Sequence, residues 1–88
     1  MKGIQVKILT PTSNIILDDI VSVVIPGYDG EYCIQYNHLP MAVYTVTGTV
    51  KATDGTGTKK IDISDSGFAY VAENKVCIFA DHIASELQ

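Results

Sequence analysis

The sequence has little positive charge and no long hydrophobic run, and each absence excludes a class of function. Only six of its 88 residues are basic, against ten acidic ones, and Lys59 and Lys60 are the one adjacent basic pair. Nucleic-acid binding requires clustered positive charge and is therefore disfavoured. No apolar run approaches the roughly 18 residues of a membrane span, and the opening MKGIQVKIL lacks the features of a signal peptide. We therefore expect a soluble chain that stays in the compartment where it is made.

Signatures of catalysis and metal binding are also missing. The histidines, His38 and His82, have no H-x-x-x-H partner, so we expect no metal site. No G-x-S-x-G motif or cysteine–histidine signature supplies an activated nucleophile. Neighbouring carboxylates such as Asp18 and Asp19 are interpreted as solvated charges, because nothing indicates a pocket that would raise the pKa of one of them. These absences favour a binding or assembly module over an enzyme.

Cysteine is scarce, and one glycine-rich segment only superficially resembles a phosphate-binding loop. Cys33 and Cys77 form no C-x-x-C pair, and without a secretory signal we interpret both as small buried hydrophobic residues. The segment DGTGTKK at 54–60 fails the P-loop spacing and precedes a segment typical of a strand. We therefore predict a hairpin turn there.

The chain does have the composition of one small folded domain. Its 47% apolar and 18% charged residues are typical of a globular protein and not of a disordered one. A chain of 88 residues suffices for one hydrophobic core but not for a second domain. We therefore predict a single domain over residues 1–88.

Apolar residues alternate with other residues along most of the chain, which indicates β-strands. In the first segment, IQVKIL, Ile4, Val6 and Ile8 fall on one face. Further strands are predicted at 20–25, 41–46, 49–53, 59–64, 68–72 and 75–80, with shorter pieces in IILDD and EYCIQY. Turn formers such as PGYDG, DGTGT, SDSG and AENK separate them. The pattern predicts an all-β, antiparallel sandwich or barrel.

Two segments depart from this pattern. At the end of the chain, Asp81 as a possible N-cap and the spacing of four between Ile83 and Leu87 predict a short helical turn. Residues 26–40, PGYDGEYCIQYNHLP, hold two prolines, two glycines and three tyrosines. Connections within compact domains typically have about six residues, so this segment of fifteen is predicted to do more than connect two strands.

Three segments carry a family resemblance: VSVVIPGYDGEY at 21–32, YNHLP at 36–40 and SDSGFAYVAENKVCIFAD at 64–81. In order and spacing they resemble V-x-S-V-x-(I/L/V)-P-G-x-x-G-E-(F/L/Y), P-G-H-A-P and S-G-G-(F/I)-L-E-V-x-x-N-x-V-T-V-L-A-D. These motifs belong to the amino-terminal β-sandwich domain of the epsilon subunit of F-type ATP synthases, called delta in mitochondria. The loop here lacks the first proline and the glycine but keeps His38 and Pro40. The resemblance covers about the whole chain.

The resemblance implies a two-sheet antiparallel β-sandwich of about ten short strands. It also implies a non-catalytic rotor subunit of the central stalk of a proton-translocating ATP synthase, without a cofactor. Such a subunit links the gamma subunit to the c-subunit ring, so that ion-driven rotation is coupled to ATP synthesis, and it meets the alpha/beta catalytic head only indirectly.

Candidate interface residues follow from the positions that match the family motifs. The residues in the gamma-facing segment are His38, Leu39, Pro40 and Met41. The residues in the ring-facing segment are Gly30, Glu31 and Tyr32. Acidic and aromatic side chains suit contacts with the polar loops of the ring, whereas a flexible methionine suits a groove in gamma.

Two further expectations and one alternative complete the prediction. Many family members continue into a carboxy-terminal helical hairpin, whereas this sequence stops at Gln88; if the natural polypeptide ends there, we expect no hairpin-type inhibition and no ATP site on it. The resemblance implies a peripheral location on the cytoplasmic face of a bacterial inner membrane, or on the stromal face of a plastid thylakoid. The alternative is a free-standing β-sandwich that binds a small ligand, which would require a concave, aromatic-lined site.

Overall fold

Ten β-strands account for the regular structure of residues 3–64 and 67–87, the part of the chain that the computed structural model describes. The strands are β1 (Ile4–Leu9), β2 (Asn14–Ile20), β3 (Ser22–Gly27), β4 (Gly30–Gln35), β5 (Met41–Thr45), β6 (Gly48–Thr53), β7 (Thr58–Ser64), β8 (Gly67–Ala72), β9 (Lys75–Phe79) and β10 (His82–Leu87). The described residues contain no helix. The all-β prediction is confirmed.

The strands form two layers that are joined through β3. The first layer has the order β10-β7-β6-β3-β4, and the second layer has the order β5-β8-β9-β1-β2. Neighbouring strands are antiparallel except for β1 and β9, which pair in parallel. The curled sheet is thus a sandwich of the predicted kind.

The two layers are joined at the end of β3, which pairs with strands of both. Residues 22–24 of β3 pair with β6, whereas Gly27 pairs with Thr45 of β5. Between them, the Pro26 carbonyl accepts a hydrogen bond from the Val46 N–H at 3.1 Å. Proline cannot donate to a ladder, so its place at this corner costs no hydrogen bond within either layer.

The inward positions of both layers form one hydrophobic core. In β1, for example, Ile4, Val6 and Ile8 are each at most 1% exposed, whereas Gln5 and Lys7 between them are half-buried. β-branched residues fill most of the core and suit a pleated surface. The largest fully buried side chains are Ile4, Ile8, Ile20, Ile25, Ile34, Ile61, Ile63, Ile78, Val6, Val23, Val50 and Val71. Full burial of such a side chain contributes about 1.5–3 kcal/mol.

The turn predicted in DGTGTKK joins β6 to β7 and is held by Asp54. Its carboxylate oxygen Oδ1 accepts hydrogen bonds from the Thr56 N–H at 2.7 Å, the Thr56 hydroxyl at 2.8 Å and the Gly57 N–H at 3.0 Å. Chiefly through the bonds from Thr56, this turn lowers the pKa of Asp54. The prediction of a hairpin turn in place of a phosphate loop is confirmed. The turn predicted at SDSG includes Asp65 and Ser66, which lie outside the described residues.

The predicted helical turn at the end of the chain is wrong. Residues 82–87 form β10, which pairs with β7 in antiparallel fashion, and Ile83 packs against the core. The spacing of four between Ile83 and Leu87 suits a helix, but Ile83 lies opposite Ile63 of β7, and the register shifts between Ile83 and Ser85, so Leu87 lies opposite Lys60. Pairing with the otherwise free edge of β7 then favours the strand.

Two other expectations need correction, and one is confirmed. The strand predicted at 20–25 is divided, because β2 ends at Ile20 and β3 begins at Ser22. The strand piece predicted in EYCIQY is confirmed, since residues 30–35 form β4, which pairs with β3 along its length. The cysteines lie at non-buried positions, with Cys33 exposed and Cys77 half-buried, and both are free thiols. Cys33 alternates outward from β4 because the inward places beside it belong to Tyr32 and Ile34.

Candidate assembly surface

The predicted ring-facing residues lie at the tip of the hairpin formed by β3 and β4. Tyr28 and Asp29 make the two-residue connection between the paired glycines Gly27 and Gly30. Gly30 has φ of 131°, a conformation that disfavours any residue with a side chain. Glu31 next to it is exposed. The hairpin tip therefore presents two exposed carboxylates, those of Asp29 and Glu31.

Tyr32 differs from the exposed anchor that its predicted role implies. It is half-buried and packs against the core, and its hydroxyl donates a hydrogen bond of 2.5 Å to Asp29 Oδ1. This hydrogen bond, with smaller effects of burial and of the Asp29 charge, raises the pKa of Tyr32. Tyr28, by contrast, is 79% exposed. Tyr32 thus braces the tip, and Tyr28 is the aromatic residue that the tip exposes.

The predicted gamma-facing residues lie at the other end of β4, in the loop that leads into β5. The His38 N–H donates to the Gln35 carbonyl at 3.1 Å, and His38 Nδ1 donates to the Leu39 carbonyl at 2.7 Å. Leu39 is 79% exposed and Pro40 is exposed as well. Met41 begins β5 and packs against the core. Of the four residues, Leu39 and Pro40 therefore offer the most surface to a partner.

The two predicted contact segments are well separated. Gly30, Glu31 and Tyr32 form the first half of β4, a strand of six residues that is about 20 Å long at about 3.3 Å per residue, and the loop with His38 follows its other end. The structure therefore does not bring them together into one site. It places them at opposite ends of one strand in a domain with a single core.

A third surface was not predicted from the sequence: an outer aromatic face on the second layer, formed by Tyr44, Phe68, Tyr70 and Phe79. These residues occupy outward positions of β5, β8 and β9. Their exposed fractions are 78% for Tyr44, 44% for Phe68, 51% for Tyr70 and 39% for Phe79. Four exposed aromatic side chains on one small face are unusual for a free surface and indicate a site of interaction.

The register of the strands builds this face as a continuous row. Tyr44 lies opposite Phe68, Phe68 opposite Phe79, and Phe79 opposite Leu9 of β1. The rings of Phe68 and Phe79 stack with centroids 4.9 Å apart and an interplanar angle of 26°. At about 4.8 Å between strands, the row extends about 15 Å across the sheet. The face is therefore broad enough for a macromolecular contact.

The sequence signal for this face was present but ambiguous. In FAYVA, residues 68–72, apolar or aromatic residues occupy both faces of the strand, so alternation alone does not tell which face is turned to the core. The structure buries Ala69 and Val71 and turns Phe68 and Tyr70 outward. The larger side chains of Phe68 and Tyr70 would have suggested that these two residues face the core.

The described residues offer little to a small ligand or a metal ion. Depressions of about 270 Å³ beside Tyr44 and Phe68 and of about 300 Å³ beside Pro11 and Phe79 reach only the lower end of the roughly 300–1,000 Å³ of ligand pockets. No group of three or more histidine, cysteine or acidic side chains among residues 3–64 and 67–87 is placed to hold a metal ion. None of the described residues belongs to a helix that is long and apolar enough to cross a membrane.

Comparison with known families decides the relationship. Residues 3–86 match the family described as ATP synthase, Delta/Epsilon chain, beta-sandwich domain. The chain belongs to this family. The resemblance carried by the sequence motifs is thereby confirmed.

Similar members of the delta/epsilon family are longer than this chain. An ATP synthase epsilon chain from Campylobacter curvus is 32% identical over 81 residues, which cover 92% of this chain and 63% of the relative. One from Clostridium botulinum is 36% identical over 79 residues, which cover 90% of this chain and 59% of the relative. The chain thus spans about three fifths of the length of these curated relatives.

Solved structures with the same fold come from mitochondrial ATP synthases. A chain in the cryo-EM structure of the Euglena gracilis OSCP/F1/c-ring assembly superposes with a TM-score of 0.83 at 19% identity, over 93% of this chain and 52% of that one. A chain in the central stalk and c-ring structure from Tetrahymena thermophila gives 0.72 at 14% identity, over 93% and 66%. At these identities the likeness establishes the delta/epsilon β-sandwich fold.

Proposed function

We propose that this delta/epsilon domain is a non-catalytic rotor component of the central stalk of an F-type ATP synthase. It links the gamma subunit to the c-subunit ring, so that ion-driven rotation of the ring turns gamma and supports ATP synthesis in the alpha/beta head. It lies at the membrane only peripherally, through the complex, on the bacterial cytoplasmic face or the plastid stromal face. The observation that carries the proposal is the outer aromatic face, an interaction surface on a domain of the delta/epsilon family.

The outer aromatic face and the loop that holds His38 and Leu39 together suit the gamma contact. The loop leads directly into β5, whose outward residue Tyr44 belongs to the face. A stable interface buries about 800 Å² on each partner, and exposed tyrosines are frequent anchors of such interfaces. Leu39, 79% exposed, adds an apolar side chain before the start of β5, whereas Tyr44 lies near the end of that strand. Apolar contacts at both places favour a lasting attachment.

The hairpin tip suits the ring contact. Glu31 is exposed and Gly30 lets the backbone approach closely, while the Tyr32–Asp29 hydrogen bond of 2.5 Å holds the tip in shape. Acidic and hydrogen-bonding groups suit polar loops better than they suit an apolar groove. Since the tip and the His38 loop lie at opposite ends of β4, one rigid body has separate contacts for two partners. Such an arrangement is what a torque-transmitting link requires.

The proposal is tested by binding to gamma and to the ring, both taken from the same organism as this chain. The purified chain is expected to co-elute with gamma in a one-to-one complex, which His38→Glu and Phe68→Asp should weaken. Glu31→Lys should leave gamma binding intact and weaken binding to detergent-solubilised c-ring. A folded chain that binds neither partner would overturn the proposal.

A further inference from the structure

Asn74 joins the β8–β9 turn to the loop that holds His38, although 37 residues separate the two asparagines that meet there. Its Oδ1 accepts a hydrogen bond of 2.6 Å from the Asn37 N–H, and its Nδ2 lies 3.5 Å from Asn37 Oδ1. Its own carbonyl accepts a hydrogen bond of 3.1 Å from the Gln5 N–H of β1. Asn74 is therefore fixed by the second layer on one side and holds the loop on the other.

We propose that Asn74 is a positioning residue for the gamma contact. Its side chain fixes the backbone of Asn37 and thereby sets where His38 and Leu39 are presented. This inference rests on the proposed function, because it assigns to Asn74 the geometry of a surface that the proposed function gives to gamma.

The backbone at Asn37 is the point where the loop meets Asn74. Asn37 has φ of 64°, in the left-handed region, which asparagine adopts more readily than most residues. The next residue, His38, has its N–H bonded to the Gln35 carbonyl, a local bond that closes the turn but does not tie it to the second layer. Leu39 is 79% exposed and so contributes little packing. The bond from Asn37 to Asn74 thus ties the loop to the turn between β8 and β9, two strands that carry the outer aromatic face.

Asn74 has two separate roles, since its backbone forms part of the turn between β8 and β9 and its side chain holds Asn37. The two roles can be tested with different variants. Glu73 and Asn74 have φ of 52° and 61°, as in a type I′ turn, which glycine and asparagine tolerate well. Glycine at position 74 keeps the turn but lacks the Oδ1 that holds Asn37. Glycine at position 73 makes the same backbone change in the same turn without touching the loop. Asn74→Gly and Glu73→Gly are therefore a matched pair.

The experiment measures gamma affinity, amide exchange and thermal unfolding for the wild-type chain and both variants. Asn74→Gly should weaken gamma binding about fivefold to tenfold, as expected for one lost hydrogen bond, and should speed amide hydrogen exchange at Asn37. Glu73→Gly should bind as the wild type does. Because Asn74 acts through the loop, Asn74→Gly should reduce gamma affinity much less in a chain that already carries Leu39→Ala than in the wild-type chain. General destabilisation of the domain would not produce this non-additivity.

Two results would overturn the inference, and they are distinct from a failure of the proposed function. Equal gamma affinity for the two glycine variants would show that the Asn74 side chain does not position the contact. Unchanged exchange at Asn37 in Asn74→Gly would show that it does not hold the loop. If the wild-type chain does not bind gamma, the proposed function fails, whereas the exchange measurement still decides whether Asn74 fixes the loop.

Discussion

Replacement of Tyr44 by alanine tests the outer aromatic face most directly. Tyr44 is 78% exposed, so it contributes little to the core of the free domain. Covering 78% of an aromatic side chain of about 200 Å² buries about 150 Å². At about 25 cal/mol/Å² this is worth at most about 4 kcal/mol, and association realises only part of such a gain. We expect a loss of about 1–3 kcal/mol, which weakens gamma binding about 5-fold to 150-fold.

Isothermal titration calorimetry of gamma with the wild-type chain and Tyr44→Ala measures this change. Thermal unfolding of Tyr44→Ala should stay within about 0.5 kcal/mol of the wild type, because the removed atoms are outside the core. Lys51→Ala is the control, since Lys51 is exposed on β6 in the first layer and away from the face. Wild-type affinity for Tyr44→Ala, or an equal loss for Lys51→Ala, would refute the assignment of the face to gamma.

Three further predictions concern the scaffold. The hydroxyl of Thr45 is buried without a hydrogen-bond partner among the described residues, so Thr45→Val should raise the free energy of unfolding by about 1 kcal/mol in urea titrations; a decrease would contradict this account. A Cβ added at Gly67 would lie 1.9 Å from the Phe79 carbonyl oxygen, so Gly67→Ala should destabilise by about 2 kcal/mol or more, and an unchanged urea midpoint would count against the packing described. Because the pKa of Asp54 is lowered, its contribution to stability is present above the ordinary aspartate pKa and is lost as the pH falls through the lowered value. Asp54→Asn should therefore flatten the acid side of the stability profile measured by urea unfolding, whereas identical slopes would exclude the effect.

The fold was largely predictable because the strands bury one face each. In β1 the alternation of large apolar and polar residues predicted both the strand and its inward side, Ile4, Val6 and Ile8. Prediction failed where that signal is ambiguous. The spacing of Ile83 and Leu87 is that of a helix, whereas these residues belong to a strand that pairs with β7 across a register shift. The division between Ile20 and Ser22 follows from the change of layer, because β2 pairs with β1 and β3 pairs with β6, which a local pattern does not contain.

The site was less predictable than the fold. The loop with His38 and the tip with Glu31 came from the family resemblance, and their roles stay predictions. What each side chain offers depends on tertiary packing, so that Met41 and Tyr32 pack against the core while Leu39 is exposed. The bond from Asn37 to Asn74 joins residues 37 positions apart, and no local pattern indicates such a contact.

The strand β8 gives a physical reason to regard the outer aromatic face as a built interface. Its inward position 69 is alanine, 0% exposed, between Phe68 and Tyr70, which point outward at 44% and 51% exposed. A free domain would gain stability if it buried the two rings and exposed the alanine, since burial of apolar area is the main source of folding free energy. The strand instead leaves its largest side chains uncovered, and Tyr44 and Phe79 do the same on the neighbouring strands. The free energy of covering these rings is therefore available to association, as the proposed attachment to gamma requires.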